Sequence, residues 1–270
     1  MLPSPEQTWS HGTVSRDRLE TALSHPDITA IEIDILMGYD TTQPQESRPY
    51  QAMACHPPQK ESDLSVAVFW DRVLCKQHGS PLRHVKLDFK DLDSVRPTLA
   101  SLRDHLSQRT SRAFRTSATT IFLNADIFPG PGFRGKNAHL HAKSFLELCA
   151  QEVCSLTNPM AFSFGFKVDY RILEPYSTID SDALATLTRS LSSTLPQLGL
   201  VLALNARLLA LDCTPFDEFL AEFPEAQILV WTGTGEPPIP PESIALIKSH
   251  FQSTETISRV GFDCAVLENA

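Results

Sequence analysis

The sequence predicts an α/β fold of the (β/α)8 TIM-barrel type. Three observations predict it. Short apolar, β-branched runs occur eight times, helix-like segments lie between them, and the length of 270 residues matches a barrel of about 250 residues. A nine-strand open sheet is the alternative architecture. No linker or internal repeat divides the chain, so residues 1–270 are expected to form a single barrel domain.

The strands are expected near Gln7–His11, Thr29–Leu36, His84–Phe89, Thr120–Ile127, Ala161–Phe166, Gly199–Asn205, Gln227–Trp231 and Arg259–Ala265. The helices are expected at Ser15–Ser24, Ser62–His78, Ser94–Gln108, Ala142–Cys154, Ser181–Leu195, Pro215–Phe223 and Pro241–Phe251. Several open on Ser, whose hydroxyl can accept from a free first-turn N–H, and Pro215 and Pro241 suit a first helical turn. The segment Met37–Lys60 breaks the alternation. It is rich in Pro, Gln and Thr, and reads as a long excursion or hairpin after the second strand. Gln108–Thr119, rich in Arg and Ser, reads as a solvent loop, and Phe128–Asn137 as a loop leaving the fourth strand.

Two strands carry the chemistry. In Ile31-Glu32-Ile33-Asp34-Ile35 side chains alternate faces, so both carboxylates share one face and the isoleucines the other. Two like charges pointing into a barrel mouth repel, and a cation between them resolves the cost. A solvated acidic edge strand would give the same letters. In His84-Val85-Lys86-Leu87-Asp88-Phe89-Lys90 the pattern recurs, with Lys86, Asp88 and Lys90 on one face. Asp88 would complete an oxygen-rich site suited to magnesium or calcium, and a lysine would offset a phosphate oxygen. Asn124 and Asp126 share a face at the end of the fourth strand; they would hold substrate or water, or cap the next loop. His11 and His56, each ending a short apolar run, are placed to act as a general base and acid. His25, His78, His105 and His250 read as solvent residues.

The totals bound the function. A formal charge of −9 excludes a broad basic surface for nucleic acid but not a local basic pocket. No stretch approaches the roughly 20 apolar residues of a membrane span. The N-terminal MLPSPEQTWSHGTVSRD has no basic start followed by an apolar run, so no signal peptide and a cytoplasmic location are expected. Six cysteines without CxxC spacing read as reduced thiols.

The ordered set WSH, IEID, ACHPP, SDL, VKLDFK, FLNADIFPGPG, FSFG and LVWTG resembles the menorin family, from Trp9 to about Trp231. Its barrel is similar to the phospholipase-C-like phosphodiesterases, which include glycerophosphodiester phosphodiesterases and the spider-venom phospholipase D enzymes. That resemblance implies a metal-dependent phosphodiesterase. His11 and His56 would form the acid/base pair, and Lys90 would bind phosphate. Glu32, Asp34 and Asp88 would hold a divalent metal, magnesium first, with calcium or manganese as the others. Trp231 would wall the substrate pocket; Lys86 and Asn124 follow the menorin pattern and would bind substrate. Two positions depart from the pattern: Val14 stands where the family usually has Asn, and Phe166 where it usually has Trp.

The implied partner is a small phosphodiester bearing a neighbouring hydroxyl: a glycerophosphodiester, a lysophospholipid or a ribose phosphodiester, the last including an RNA end. A lipid substrate would favour an apolar rim from Phe128, Pro129 and Phe133. The rival reading is a barrel without catalysis that serves as a binding or scaffold protein. Paired carboxylates could also cleave a sugar, but that would leave the lysines and histidines without a role.

Overall fold

The computed structural model describes residues 7–75, 82, 84–108, 119–135, 140–153, 156, 159–194, 198–233 and 235–264. The expected loop at 109–118 falls outside them, as do the expected helix ends His78, Cys154 and Leu195 and the expected strand end Ala265.

The fold class is α/β of the TIM-barrel type. Its strands are β1 (Trp9–Ser10), β2 (Ala30–Asp40), β3 (Tyr50–Ala54), β4 (Glu61–Ser62), β5 (His84–Phe89), β6 (Thr120–Pro129), β7 (Met160–Lys167), β8 (Gly199–Asn205), β9 (Gln227–Trp231) and β10 (Val260–Asp263). The sheet runs β1-β2-β5-β6-β7-β8-β9-β10, with β3 and β4 as side pairings of β2. Helices α1 (Arg16–Ser24), α2 (Val66–Cys75), α3 (Val95–Gln108), α4 (Ala142–Val153), α5 (Thr178–Thr194), α6 (Ala206–Leu209), α7 (Asp217–Glu222) and α8 (Pro241–Ser253) lie between them in sequence. Eight strands in chain order, joined through helices, are the expected barrel set.

Several boundaries differ from the expectation, each for a local reason. β2 continues through Met37–Asp40 because β3 pairs antiparallel along it, from Ile35 opposite Ala54 to Tyr39 opposite Tyr50, and β4 pairs with Tyr39 and Asp40. The excursion is therefore a hairpin. Helix α2 starts after Ser65 rather than at Ser62, because Ser62 is committed to β4 and the Ser65 hydroxyl accepts from Val68 N–H at 3.3 Å. Helix α1 keeps its expected cap, with Ser15 accepting from Arg18. The expected helix over Pro215–Phe223 is a 3-10 turn, Thr214–Phe216, followed by α7.

Compactness divides the chain into two units. Unit 2 comprises Thr8–Ala125 and Leu140–Met160; unit 1 comprises Met1–Gln7, Asp126–His139 and Ala161–Ala270. In unit 2 the isoleucines of β2, together with Val85, Leu87, Phe89, Ile121 and Leu123, are fully buried. Phe89 packs on Phe145 of α4, so the apolar faces of β2, β5 and β6 point to the helix side. In unit 1 an aromatic run joins Phe128, Phe166, Tyr176 and Phe216. Phe166, standing where the resemblance has Trp, thus remains part of an apolar wall. Phe128 and Phe133 are half-buried and Pro129 is exposed, so the rim expected of these three is only partly open.

Candidate functional site

Parallel pairing of β2 with β5 sets Glu32 beside Lys86 and Asp34 beside Asp88. Because the apolar residues of both strands go to the helix side, their charged alternates are driven to the opposite face. Glu32, Asp34 and Lys86 are buried there, and Asp88 nearly so. A solvated edge strand is therefore ruled out for β2. Among the described residues, Glu32, Asp34 and Asp88 each offer a carboxylate oxygen, all within 4.8 Å of one another. Hard oxygen donors from three carboxylates suit magnesium or calcium better than zinc, which favours nitrogen and sulfur.

Cations of the chain surround this cluster. Lys90 Nζ lies 2.9 Å from Asp34 Oδ1 and 2.9 Å from Asp88 Oδ2. Lys86 Nζ sits 5.8 Å from the centre of the Trp9 ring. The turn after β1 closes on Glu32: Gly12 N–H donates to its Oε2 at 2.7 Å, and His11 Nδ1 lies 3.4 Å from the same oxygen. A carboxylate only accepts, so this contact places a proton on Nδ1 and leaves Nε2 as the nitrogen for proton exchange. Gly12 has φ of 54°, in the region that favours glycine, which lets its N–H face inward.

The electrostatics separate the two carboxylates of β2. Burial raises the Glu32 carboxyl, but the His11 hydrogen bond and the charges of Lys86, His11 and Lys90 outweigh it. Glu32 is held well below the usual carboxylate range. Burial and the charge of Glu32 push Asp34 up to about 6; Lys90 opposes them and Asp88 adds to them.

The other expected site residues lie as follows. Asn124 is buried on β6, in register with Asp88. His56 follows β3 and is exposed, with Nδ1 2.7 Å from the Pro57 carbonyl. A carbonyl accepts, so His56 also carries its proton on Nδ1. Its neighbour Cys55 donates from its backbone N–H to the Asp34 carbonyl at 2.9 Å, which ties the His56 segment to β2. Trp231 ends β9 in unit 1, half-buried, in register with Asn205 and Asp263. Asp126 also belongs to unit 1, with Lys167 Nζ 3.9 Å from its Oδ2.

With that geometry in place, comparison with known proteins is informative. The Menorin N-terminal domain family matches residues 5–261. The chain belongs to the menorin family. Human Protein FAM151B is 25% identical over 253 residues, covering 93% of this chain and 80% of that protein. Among solved structures, the Legionella pneumophila ChiA C-terminal domain aligns with a TM-score of 0.31 at 9% identity. That alignment covers 56% of this chain and 50% of that one, and carries no argument about fold or function.

Sequence reasoning missed several residues of this menorin-family site. Gly12 acts through its backbone N–H, which no residue pattern announces. Trp9 stacks on buried His84 with ring centres 6.2 Å apart and planes at 11°, and the Lys86 ammonium lies over the same ring. Asp91 accepts from Met37 N–H and Ser94 N–H, each at 2.9 Å, and so fixes the turn after β5 to β2. Two histidines expected in solvent are instead partnered: His105 Nε2 lies 3.5 Å from Asp71 and His250 Nε2 2.8 Å from Asp217.

Proposed function

We propose that this menorin-family chain is a metal-dependent phosphodiesterase acting on a small phosphodiester with a neighbouring hydroxyl. The observation that carries the reading is the convergence of Glu32, Asp34 and Asp88 from two paired strands, with an imidazole and an ammonium on the same carboxylates. Held by those three carboxylates, a divalent ion, magnesium first, would supply positive charge to a phosphate oxygen.

The chain's own residues do the rest. Glu32 orients His11 and keeps the proton on Nδ1, so Nε2 accepts or donates the proton that moves in the reaction. The Pro57 carbonyl does the same for His56. One imidazole takes the proton of the attacking hydroxyl as the new P–O bond forms. The other enters as the imidazolium, with a second proton on Nε2, and gives that proton to the leaving oxygen as its P–O bond breaks. Where the hydroxyl is the substrate's own, the product is a cyclic phosphate. Lys90 binds a non-bridging phosphate oxygen, and Asn124 and Lys86 line the buried side. Glycerophosphodiesters, lysophospholipids and ribose phosphodiesters, including RNA ends, all meet the requirement for a neighbouring hydroxyl. Work in the cytosol is part of the proposal: Cys55, Cys149, Cys213 and Cys264 are free thiols, and no described helix is long and apolar enough to cross a membrane.

The test is hydrolysis of an aryl phosphodiester with magnesium, followed by a phosphorus NMR screen of natural diesters. His11→Ala and Asp88→Asn should each lower the rate by about 100-fold or more. Full activity in both variants would refute the mechanism.

One observation favours a second reading, a scaffold without catalysis. Lys90 already pairs with both Asp34 and Asp88, so the cluster can stand as a salt-bridge network without an ion. Failure of magnesium, manganese and calcium alike to bind or to raise thermal stability would decide for it.

A further inference from the structure

The carboxylate cluster already has a cation of its own. Lys90 Nζ makes two contacts of 2.9 Å, one to Asp34 and one to Asp88, so two of the three candidate ligands point an oxygen at one ammonium. Its backbone is held with equal care. Lys90 N–H donates to the Ile35 carbonyl of β2 at 2.8 Å, and the next residue, Asp91, accepts from Met37 N–H of β2 and from Ser94 N–H. Successive residues of the turn are thereby pinned to the strand that carries Asp34. Lys86 does not duplicate the contact; its ammonium lies over the Trp9 ring.

We infer that Lys90 is the resident counter-ion of the cluster, that Asp91 positions it, and that a divalent cation binds by displacing the Lys90 ammonium from Asp34 and Asp88. The inference rests on the metal-dependent reading given above. Its physical basis is like-charge repulsion on shared carboxylates. An ion held by Asp34 and Asp88 would sit within a few ångströms of an ammonium that contacts both of them at 2.9 Å, and two cations at that separation repel. The released ammonium stays tethered beside the ion and must find another anion. A phosphodiester oxygen fills that need. Metal entry thus converts Lys90 from an internal salt-bridge partner into a substrate contact, so that ion and substrate reinforce one another's binding. Asp91 touches neither; it acts through the placement of Lys90.

The test is calorimetric titration of magnesium and manganese into the full chain and into Lys90→Met. It is combined with NMR of the Lys90 ammonium in 15N-lysine-labelled wild type, the signal being assigned by its loss in the variant. The expected result is ion binding at least about tenfold tighter in Lys90→Met, and a shifted Lys90 ammonium signal when wild type is saturated with magnesium. Asp91→Ser should tighten binding less than Lys90→Met does, and should add nothing in the Lys90→Met background. Lys90→Gln serves the same comparison if the methionine variant does not fold. If wild type binds magnesium while the variant binds it no more tightly, or while the ammonium signal stays in place, displacement is wrong and the metal reading survives. If Asp91→Ser changes affinity equally with and without Lys90, its assigned role is wrong. If no ion binds either protein, the metal reading fails and takes displacement with it.

Discussion

Lowering the pH should weaken metal binding through one identified carboxyl, Asp34. Its burial, with Glu32 beside it, raises it from 3.8 to about 6, whereas Glu32 stays ionised far below that. A ligand must be deprotonated to bind, so ion and proton compete for Asp34. A group titrating near 6 is about nine-tenths protonated at pH 5 and about one-tenth protonated at pH 7. Magnesium affinity should therefore fall about tenfold from pH 7 to pH 5, with close to one proton released per ion at the lower pH and about a tenth at the higher. Calorimetry in two buffers of different ionisation enthalpy reads both quantities. The same carboxyl sets a sign for the metal-free protein. Because its folded pKa is raised, the folded state holds the proton more tightly than the unfolded chain. Stability from this group is present below about pH 4 and is lost as pH rises through 6, by at most about 3 kcal/mol. Glu32, with a lowered pKa, has the opposite sign and contributes stability that is present above its unfolded pKa and lost only in strong acid. Asp34→Asn should remove the dependence between pH 4 and 6. Equal magnesium affinity at pH 5 and pH 7, without proton release at either, would exclude Asp34 as a titrating ligand.

Other outcomes follow from the same contacts. Glu32→Ala removes the charged acceptor of the half-buried Gly12 N–H and should cost about 1–3 kcal/mol in urea unfolding; Glu32→Gln, which keeps an acceptor, should cost less and still abolish metal binding. Gly12→Ala forces a side chain into φ of 54° and should cost about 1–2 kcal/mol by the same measurement, with weaker ion binding through a displaced Glu32. Ile33→Ala, fully buried between the two carboxylates but facing the helix side, should cost about 2–5 kcal/mol in thermal or chemical unfolding.

Much of the fold was legible because strand alternation is a short-range signal. Ile31, Ile33 and Ile35 against Glu32 and Asp34, and Val85, Leu87 and Phe89 against Lys86 and Asp88, fix the faces of β2 and β5 before any contact is known. The boundaries His84–Phe89, Gly199–Asn205 and Gln227–Trp231 agree with the structure residue for residue. The extension of β2 to Asp40 was not legible, since Met37-Gly38-Tyr39-Asp40 has no strand pattern of its own and is held by pairing with β3 and β4. The four-residue α6 was missed for a similar reason: Ala206–Leu209 continues an apolar run, and only the Asn205 side chain, accepting from Arg207 N–H, marks the change of direction.

In the site, the carboxylates were legible because charges at alternate positions between isoleucines have few explanations. The position of Lys90 between Asp34 and Asp88 was not, because a lysine's reach spans several partners and its choice depends on register. The Gly12 N–H on Glu32 depends on a turn conformation that the letters HGT leave open. His105 and His250 looked solvent-exposed because their aspartate partners, Asp71 and Asp217, are more than 30 residues away in sequence.

The most direct measurement is anomalous diffraction from crystals of the full chain soaked in manganese. One strong peak bonded to oxygens of Glu32, Asp34 and Asp88 is expected, with the Lys90 ammonium moved off Asp34 and Asp88. No peak at those carboxylates under saturating manganese, with Lys90 still bridging them, would contradict that expectation.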